Sequence, residues 1–201
     1  MAMKFFSSGG SPFVRKVLVV AHETGQINEL DQVFASPRDL APELVAVNPI
    51  SKIPALVTED GVNLAESDMI CMYLDERHSG QKMIPPSGAA RWNALAAEAI
   101  ADGFMDAAVN RRGEDDRPAG ARSQEAVDKL MARMMRCMDV MDAQAADAGD
   151  AVSIGTIAPA AACGYADYRY PDLGWRDSRP NLVALNDRMQ QRPSMQATQP
   201  G

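Results

Sequence analysis

Residues 8–17 read Ser-Gly-Gly-Ser-Pro-Phe-Val-Arg-Lys-Val, and they decide the fold of the first part of the chain. The two glycines end a short apolar run, residues 3–7, that has the length of a strand. Ser11 then stands at the favoured position for a helix N-cap, and Pro12 at the first helical position. Apolar residues recur at helical spacing as far as Glu23. The stretch therefore predicts a strand, a tight turn and a helix in succession.

Strand and helix patterns continue to alternate after this helix. We predict a strand at 28–34 and a short or irregular helix at 38–47. A hairpin follows, with Asp-Gly at its tip in residues 59–61, and then a helix at 66–77. The order, βαβαββα, predicts an α/β domain whose mixed sheet carries helices on both faces.

A change of composition after residue 78 divides the chain. Glycine and proline in residues 79–88 disfavour any regular element, so this stretch is predicted to be a linker. Every strong pattern beyond the linker is helical, with helices expected at 89–111, 123–148, 153–168 and 181–191. The prediction is a first domain at 1–78 followed by an all-helical bundle domain at 89–201.

Composition excludes several classes of function. The net charge of −7 argues against a nucleic-acid partner, because no excess of positive charge exists to neutralise phosphates. The cysteines, Cys71, Cys137 and Cys163, are odd in number and far apart, which favours reduced thiols in a cytoplasmic protein. No signal-peptide core or bilayer-length apolar run is present, so no membrane partner is expected. No His, Cys and Asp cluster has metal-ligand spacing, so no metal is expected. His22 and His78 are predicted near helix C-termini, in structural roles.

Three local patterns occur in order in the first domain. Residues 11–17 open the first helix, residues 48–56 (Asn-Pro-Ile-Ser-Lys-Ile-Pro-Ala-Leu) lead into a strand, and residues 65–70 (Ala-Glu-Ser-Asp-Met-Ile) open the last helix. Residues 101–108 and 164–169 add two patterns in the second domain. Together they resemble the glutathione transferase superfamily over essentially the whole chain, closest to its short bacterial serine-type members. The resemblance implies a thioredoxin-like glutathione-binding domain, a helical second domain and a homodimer.

The resemblance also implies a set of glutathione-binding residues. Pro54 would be a cis proline, and the backbone of Ile53 would pair with the cysteinyl backbone of glutathione. Glu66 and Ser67 lie at a helix start, where free N–H groups and the helix dipole favour a carboxylate. Ser67 would bind the γ-glutamyl carboxylate, leaving Glu66 to face the ammonium. A plain helix cap beside an exposed acid is the structural alternative for this pair.

Two further residues belong to the expected glutathione site. Phe13 follows the serine-proline pair at the start of the first helix. Lys52 could contact the peptide backbone or the glycyl carboxylate, and an ordinary surface lysine is the alternative.

Ser11 is the expected catalytic residue. Ser8-Gly9-Gly10-Ser11 occupies the place where thioredoxin folds often carry Cys-x-x-Cys, so exchange through a protein dithiol is excluded there. In serine-type members the hydroxyl donates a hydrogen bond to the glutathione sulfur, which favours the thiolate. Ser11 could instead only cap its helix, or do both, because a hydroxyl accepts and donates at once. Ser7 and Ser8 are weaker candidates for the same role, Ser8 being the better of the two.

The implied function is transfer of glutathione, as co-substrate, to small electrophiles, as in detoxification. Two alternatives stay open: a glutathione-binding protein without this chemistry, and a disulfide reductase that uses two glutathione molecules. The electrophile would be set by side chains of the helical domain expected to face Ser11. The candidates are Met105, Ala108, Arg111 and Arg112.

The second domain departs from the family pattern at one helix start. Residues 153–156 read Ser-Ile-Gly-Thr, with Thr156 where the family usually has aspartate. A capping box needs a reciprocal acceptor at that position. We expect threonine to supply it only weakly, at a cost of about 1 kcal/mol.

Overall fold

The computed structural model describes residues 2–201, which form two compact units. One unit contains the chain up to Pro86 together with Gln191–Gly201, and the other contains Ser87–Gln190. These units divide the chain differently from the predicted domains. Most of the predicted linker belongs to the first unit, and the C-terminal residues return to it instead of ending in the helical unit.

The first unit contains a four-stranded mixed sheet in the order β2-β1-β3-β4. The strands β1 and β2 are parallel, whereas β1–β3 and β3–β4 are antiparallel. The predicted thioredoxin-like βαβαββα order is confirmed. Its elements are β1 (Met3–Ser7), α1 (Pro12–Glu23), β2 (Leu30–Phe34), α2 (Pro42–Val47), β3 (Ala55–Val57), β4 (Asn63–Ala65) and α3 (Ser67–Arg77).

The central strand β1 is covered on both faces. Phe5 and Phe6 are adjacent and fully buried, and successive strand residues point to opposite faces of a sheet. Phe6 packs in a core cluster with Leu44 of α2. The helices α1 and α3 pack against each other. This double burial explains why β1 reads as an almost continuous apolar run.

Two predicted elements are shorter in the structure. The predicted strand 28–34 begins at Leu30, after a 3₁₀ turn at Ile27–Glu29. The predicted helix 38–47 becomes a 3₁₀ turn followed by α2. Pro42 is the cause, because the residue before a proline is disfavoured in the helical region, and Ala41 has ψ of 123°.

Residues 79–86 lack helix and strand, as predicted, but they are tied to the end of α3. The carboxylate of Asp75 accepts the N–H groups of Met83 and Ile84, at 2.5 and 3.1 Å. Lys82 Nζ donates to the carbonyls of Asp75 and His78, each at 2.5 Å, at the end of α3. The side chains of Met83 and Ile84 are buried. This stretch is therefore part of the first unit's core.

The second unit is entirely helical. The helix α4 packs against both α5 and α6, and α7 packs against α5 and α6. A Cβ atom added at Gly155 would lie 2.9 Å from Ala94 Cα, so α4 and α6 approach more closely than a side chain there allows. The four helices are α4 (Gly88–Asp115), α5 (Gln124–Ala145), α6 (Ile154–Arg169) and α7 (Pro180–Gln190).

The start of α6 forms the capping box that we expected to be weak. Ser153 donates its N–H to Thr156 Oγ1 at 3.1 Å. The Thr156 hydroxyl donates in turn to the Ser153 carbonyl at 3.0 Å. Threonine therefore supplies the reciprocal acceptor, and it adds a donor that aspartate lacks.

The C-terminal tail, residues 191–201, contains α8 (Pro193–Ala197) and packs on α1. The carboxylate of Glu23 accepts from Arg192 Nε and Nη2, each at 2.8 Å, and from Ser194 Oγ at 2.5 Å. Arg15 Nη2 donates to the carbonyl of Met195 at 3.1 Å. The side chain of Met195 is fully buried. The tail is thus bonded to α1 at both Arg15 and Glu23.

Candidate functional site

The sheet register brings the predicted glutathione-binding segments to one edge of the sheet. Ala55 pairs with Phe6 of β1 on one side and with Ala65 of β4 on the other. The Ile53–Pro54 peptide directly precedes Ala55, and Glu66 directly follows Ala65. The turn that leads to Ser11 follows β1 at this same edge, because β1 and β3 are antiparallel. Three segments far apart in sequence therefore meet.

Ser11 caps α1, as the sequence predicted. Its Oγ accepts the N–H of Val14 at 3.3 Å, and the side chain is partly exposed. The first turn of α1 contains no acidic residue, so the partial positive charge of the helix start is not neutralised there. Because this bond uses a lone pair of the oxygen, the hydroxyl hydrogen can point to another acceptor.

Ser8 borders a different space from Ser11. Its carbonyl accepts the Ser11 N–H at 3.3 Å. The residue itself lines a cavity of about 260 Å³, together with one face of α1, Gln32 and residues of the tail. Neither Ser11 nor Pro54 lines that cavity.

The Ile53–Pro54 peptide bond is cis, as the family resemblance implied. Asn48, which is 1% exposed, organises the turn before it. Its Nδ2 donates to the Lys52 carbonyl at 2.8 Å, and its Oδ1 accepts the Ile50 N–H at 3.1 Å. Asn48 lies within one of the motifs quoted above, but no role was expected for it. An asparagine followed by proline is a turn signal that could have indicated this role.

Glu66 and Ser67 form the start of α3. Glu66 has φ of 70°, a left-handed value that side chains rarely adopt, and its side chain is exposed. Such a conformation costs on the order of 1–3 kcal/mol and is concentrated at functional sites. Ser67 is 3% exposed and begins the helix, where the first N–H groups have no intrahelical partner. The pair therefore offers N–H donors and a carboxylate side by side.

The two remaining glutathione candidates differ in exposure. Phe13 lies in the first turn of α1 and is partly buried. Lys52 is an exposed residue. Both lie in segments that already contribute to the same edge of the sheet.

The four electrophile candidates separate into two kinds. Met105 and Ala108 are completely buried within α4. Arg111 and Arg112 are partly exposed and form ion pairs within the helix, with Asp115 at 3.6 Å and with Asp116 at 3.4 Å. Only the two arginines present functional groups outside the core.

The structure also places tyrosines, which were not among the expected site residues, beside arginines of the second unit. The Arg111 guanidinium lies 4.5 Å from the centre of the Tyr170 ring, and the Arg169 guanidinium lies 4.0 Å from that of Tyr168. Tyr170 Oη donates to the Ala108 carbonyl at 2.7 Å. We call this group the Arg–Tyr cluster; its members are Arg111, Arg112, Tyr165, Tyr168, Arg169 and Tyr170.

Burial keeps the phenols of Tyr165 and Tyr170 protonated. It raises the pKa of Tyr170 to about 12, and the neighbouring Tyr165 acts in the same direction. Burial also raises the pKa of Tyr165, although Arg169 and Arg112 oppose the effect. Tyr165 therefore remains a hydroxyl donor beside two guanidinium groups at neutral pH.

Within residues 2–201, no group of three or more His, Cys, Asp or Glu side chains could hold a metal ion. The described helices include none long and apolar enough to cross a membrane. All three cysteines are free, and burial raises the pKa of the Cys137 thiol.

Comparison with known proteins relates these features to one family. Residues 10–77 match the family described as the N-terminal domain of glutathione S-transferase. The chain is 33% identical to the uncharacterized GST-like protein YibF of Escherichia coli K12, over 98% of each chain.

Two solved structures are similar over nearly the whole length. A glutathione transferase family member from Pseudomonas fluorescens Pf-5, crystallised with bound glutathione, is 39% identical over 100% of each chain, with a TM-score of 0.95. A family member from the same organism, with bound S-(propanoic acid)-glutathione, is 40% identical, with a TM-score of 0.88, over 98% of this chain and 99% of the other. With the thioredoxin-like fold and the three segments at one sheet edge, these matches show that the chain belongs to the glutathione transferase family.

Proposed function

We propose that this protein is a glutathione transferase that activates the glutathione thiol through Ser11. The observation that carries the proposal is the hydrogen bond from the Val14 N–H to Ser11 Oγ at 3.3 Å. It orients the hydroxyl at the positive end of α1 and leaves its hydrogen available for the sulfur. Similar proteins that bind glutathione support the choice of ligand.

The three segments would divide the recognition of glutathione between them. The Ile53 backbone would pair with the cysteinyl part, and the Ser67 N–H and hydroxyl would bind the γ-glutamyl carboxylate. The exposed Glu66 carboxylate would face the ammonium group. Phe13 and Lys52 would complete the site, with Lys52 near the glycyl carboxylate. Each pairing matches a donor with an acceptor or opposite charges.

The chemical step is attack of a glutathione thiolate on an electrophilic carbon. The thiol first gives up its proton to solvent, and the Ser11 hydroxyl with the helix start lowers its pKa. The new C–S bond forms as a leaving group departs with its electron pair. In an addition, the pair moves onto the neighbouring carbon, which then takes a proton from water.

We further propose that side chains of the helical unit select the electrophile. Of the four candidates, Arg111 and Arg112 could contact a substrate without displacing a core side chain. The buried side chains of Met105 and Ala108 would stabilise α4, the helix that carries Arg111 and Arg112. We also propose a cytoplasmic location, where three free thiols stay reduced and glutathione is available.

The thiolate absorbance of bound glutathione tests this proposal directly. A free thiol titrates near pH 8.5, and we expect the bound thiol to titrate about one to a few units lower. Ser11→Ala should bind glutathione with little change in affinity but return part of the shift, so that turnover at neutral pH falls. Ser8→Ala is the matched control and should leave the titration unchanged. If Ser11→Ala does not alter the titration, Ser11 is only a helix cap.

A substrate panel separates the alternative functions. Turnover of electrophiles supports the transferase. Glutathione binding without turnover of any electrophile or disulfide would indicate a binding protein, and turnover of a model disulfide alone would indicate a glutathione-dependent reductase.

A further inference from the structure

The cavity of about 260 Å³ in the first unit lies between α1, β2 and the C-terminal tail. We call it the tail cavity, because residues 197–199 form one of its walls. None of the residues proposed to bind glutathione lines it. A molecule in liquid water occupies about 30 Å³, so the cavity has room for roughly nine waters. A ligand with a similar number of non-hydrogen atoms would therefore fit.

Part of the cavity wall is apolar. Val14 and Leu18 line it from the same face of α1, because they are four residues apart in the helix. Ile27, just after α1, adds a third apolar side chain. Pockets for small molecules commonly combine such side chains with a few polar groups that fix the orientation of the ligand. The tail cavity therefore suits a ligand with an apolar body.

The polar part of the wall carries positive charge. Arg15 lines the cavity and is 3% exposed. Its Nη2 donates to the carbonyl of Met195 at 3.1 Å, and Oγ1 of Thr198, which also lines the cavity, lies 3.5 Å from the same oxygen. The guanidinium group is therefore beside Thr198, on the tail side of the cavity. His22 lines the cavity one helical turn beyond Leu18.

The lining contains no acidic side chain from residues 2–201. Asp31 precedes Gln32 in β2, but successive side chains of a strand point to opposite faces. Gln32 lines the cavity and is exposed, so its amide is accessible from solvent. A guanidinium group donates charge-assisted hydrogen bonds to carboxylates, and a lining without acids does not repel an anion. The cavity therefore favours a carboxylate over a cation.

We propose that the tail cavity binds a small organic acid. The carboxylate lies beside Arg15 and His22, and the apolar body of the acid packs against Val14 and Leu18. This binding is separate from the proposed transferase activity and does not depend on it.

Benzoate and benzamide are the probes, because they have nearly the same size and shape but differ in charge. Calorimetry on the whole protein measures the affinity for each, with and without saturating glutathione. We expect benzoate to bind with a Kd of about 1 mM or lower, a free energy within reach of a ligand of this size. It should bind about tenfold or more tightly than benzamide, which is the range of a hydrogen bond to a charged group. Glutathione should not compete with benzoate.

Substitutions at exposed residues of the lining test the location. Gln32→Glu adds a carboxylate to the lining, and Ala197→Phe fills space on the tail side. Each should weaken benzoate binding about tenfold or more. Gln196→Glu and Gln196→Phe are the matched controls, because Gln196 is an exposed tail residue outside the lining, and they should leave the affinity unchanged. Circular dichroism confirms that each variant is folded.

Arg15→Met tests the source of the charge preference. It should bring the benzoate affinity down to that of benzamide. The substitution also removes the bond to the Met195 carbonyl, so the two exposed variants decide the location if this variant does not fold.

The outcomes separate this inference from the proposed function. The inference is wrong if benzoate does not bind, or if benzamide binds equally well. It is also wrong if glutathione displaces benzoate, or if the control variants lose as much affinity as the lining variants. Failure to bind glutathione overturns the proposed function and leaves the inference standing, because benzoate binding is measured independently.

Discussion

Two residues at the sheet edge adopt backbone conformations that are rare for their residue types. Glu66 has a left-handed φ although it is not a glycine. Ser51, one residue before Lys52, also has a left-handed φ. Both residues adjoin candidates for glutathione binding. Strained residues persist only where the surrounding structure fixes them, and they cluster at ligand sites. This strain therefore supports the assignment of Glu66 and Ser67 independently of their resemblance to a family motif.

Ser67→Ala should weaken glutathione binding without unfolding the protein. The change removes one hydrogen bond to a carboxylate, worth about 1.5–3 kcal/mol, or roughly 10- to 150-fold in affinity. The N–H groups of the helix start remain. Calorimetry measures the affinity, and Ser79→Ala, an exposed serine just beyond α3, is the control. Unchanged affinity in Ser67→Ala would contradict the assignment.

Local sequence patterns predicted the segments at the sheet edge but not the Arg–Tyr cluster. Ser11 and Ser67 were identified because helix starts and family motifs are features of adjacent residues. Tyr165 and Arg169 gain their meaning only from the packing of α6 against α4. No residue spacing in the sequence predicts that α4 and α6 pack closely. Gly155 is a local indication, because its lack of a side chain permits the close contact.

Among the elements, α8 was missed because it is too short to show periodicity. A helix of this length is marginal by itself, and its stability comes from tertiary contacts. The contacts are those of Arg192 and Ser194 with Glu23, and of Met195 with the core. Because the stability of α8 depends on Glu23, which is distant in sequence, the residues of α8 do not form a pattern that predicts the helix.

Glu23→Gln should destabilise the first unit at neutral pH. Hydrogen bonding from Arg192 holds the pKa of Glu23 below its ordinary value, although burial acts in the opposite direction. Because the folded pKa is lowered, this stabilisation is present above the unfolded pKa and is lost as pH falls through the folded pKa. We expect a loss of about 1–2 kcal/mol in the free energy of unfolding at pH 7.

Urea unfolding at pH 7 and at acid pH measures this effect. The difference between Glu23→Gln and wild type should shrink at acid pH, where the wild-type carboxylate takes up a proton. Glu125→Gln is the control, because Glu125 pairs with Lys129 at an exposed position and should contribute at most about 0.5 kcal/mol. A difference that does not vary with pH would show that the charge of Glu23 is not responsible.

At the scale of the whole molecule, each unit leaves large apolar side chains exposed. In the first unit they include Val62, Met69 and Met72, which lie on and beside β4 and α3. In α4 of the second unit, Trp92 is 68% exposed. The family resemblance implies that the first domain of one subunit pairs with the second domain of its mate. We propose that an isologous homodimer covers these residues.

Light scattering should give twice the chain mass at micromolar concentration. Met72→Glu and Trp92→Glu should each shift the protein towards monomer, because a charge would be buried in the interface. Val140→Glu places the same charge at a partly exposed apolar position of α5, outside these faces, and should leave the mass unchanged. A wild-type protein that is monomeric throughout would contradict the proposal.

The return of the tail to α1 has a consequence for synthesis on the ribosome. Residues 2–86 emerge first, but the unit that they form is completed only by residues 191–201, which emerge after all of α4–α7. Until then the nascent chain presents Glu23 without Arg192 and an open space where Met195 will be buried. N-terminal domains often fold while the rest of a chain is being made. Here the first unit gains its final contacts only after the whole helical unit has been translated.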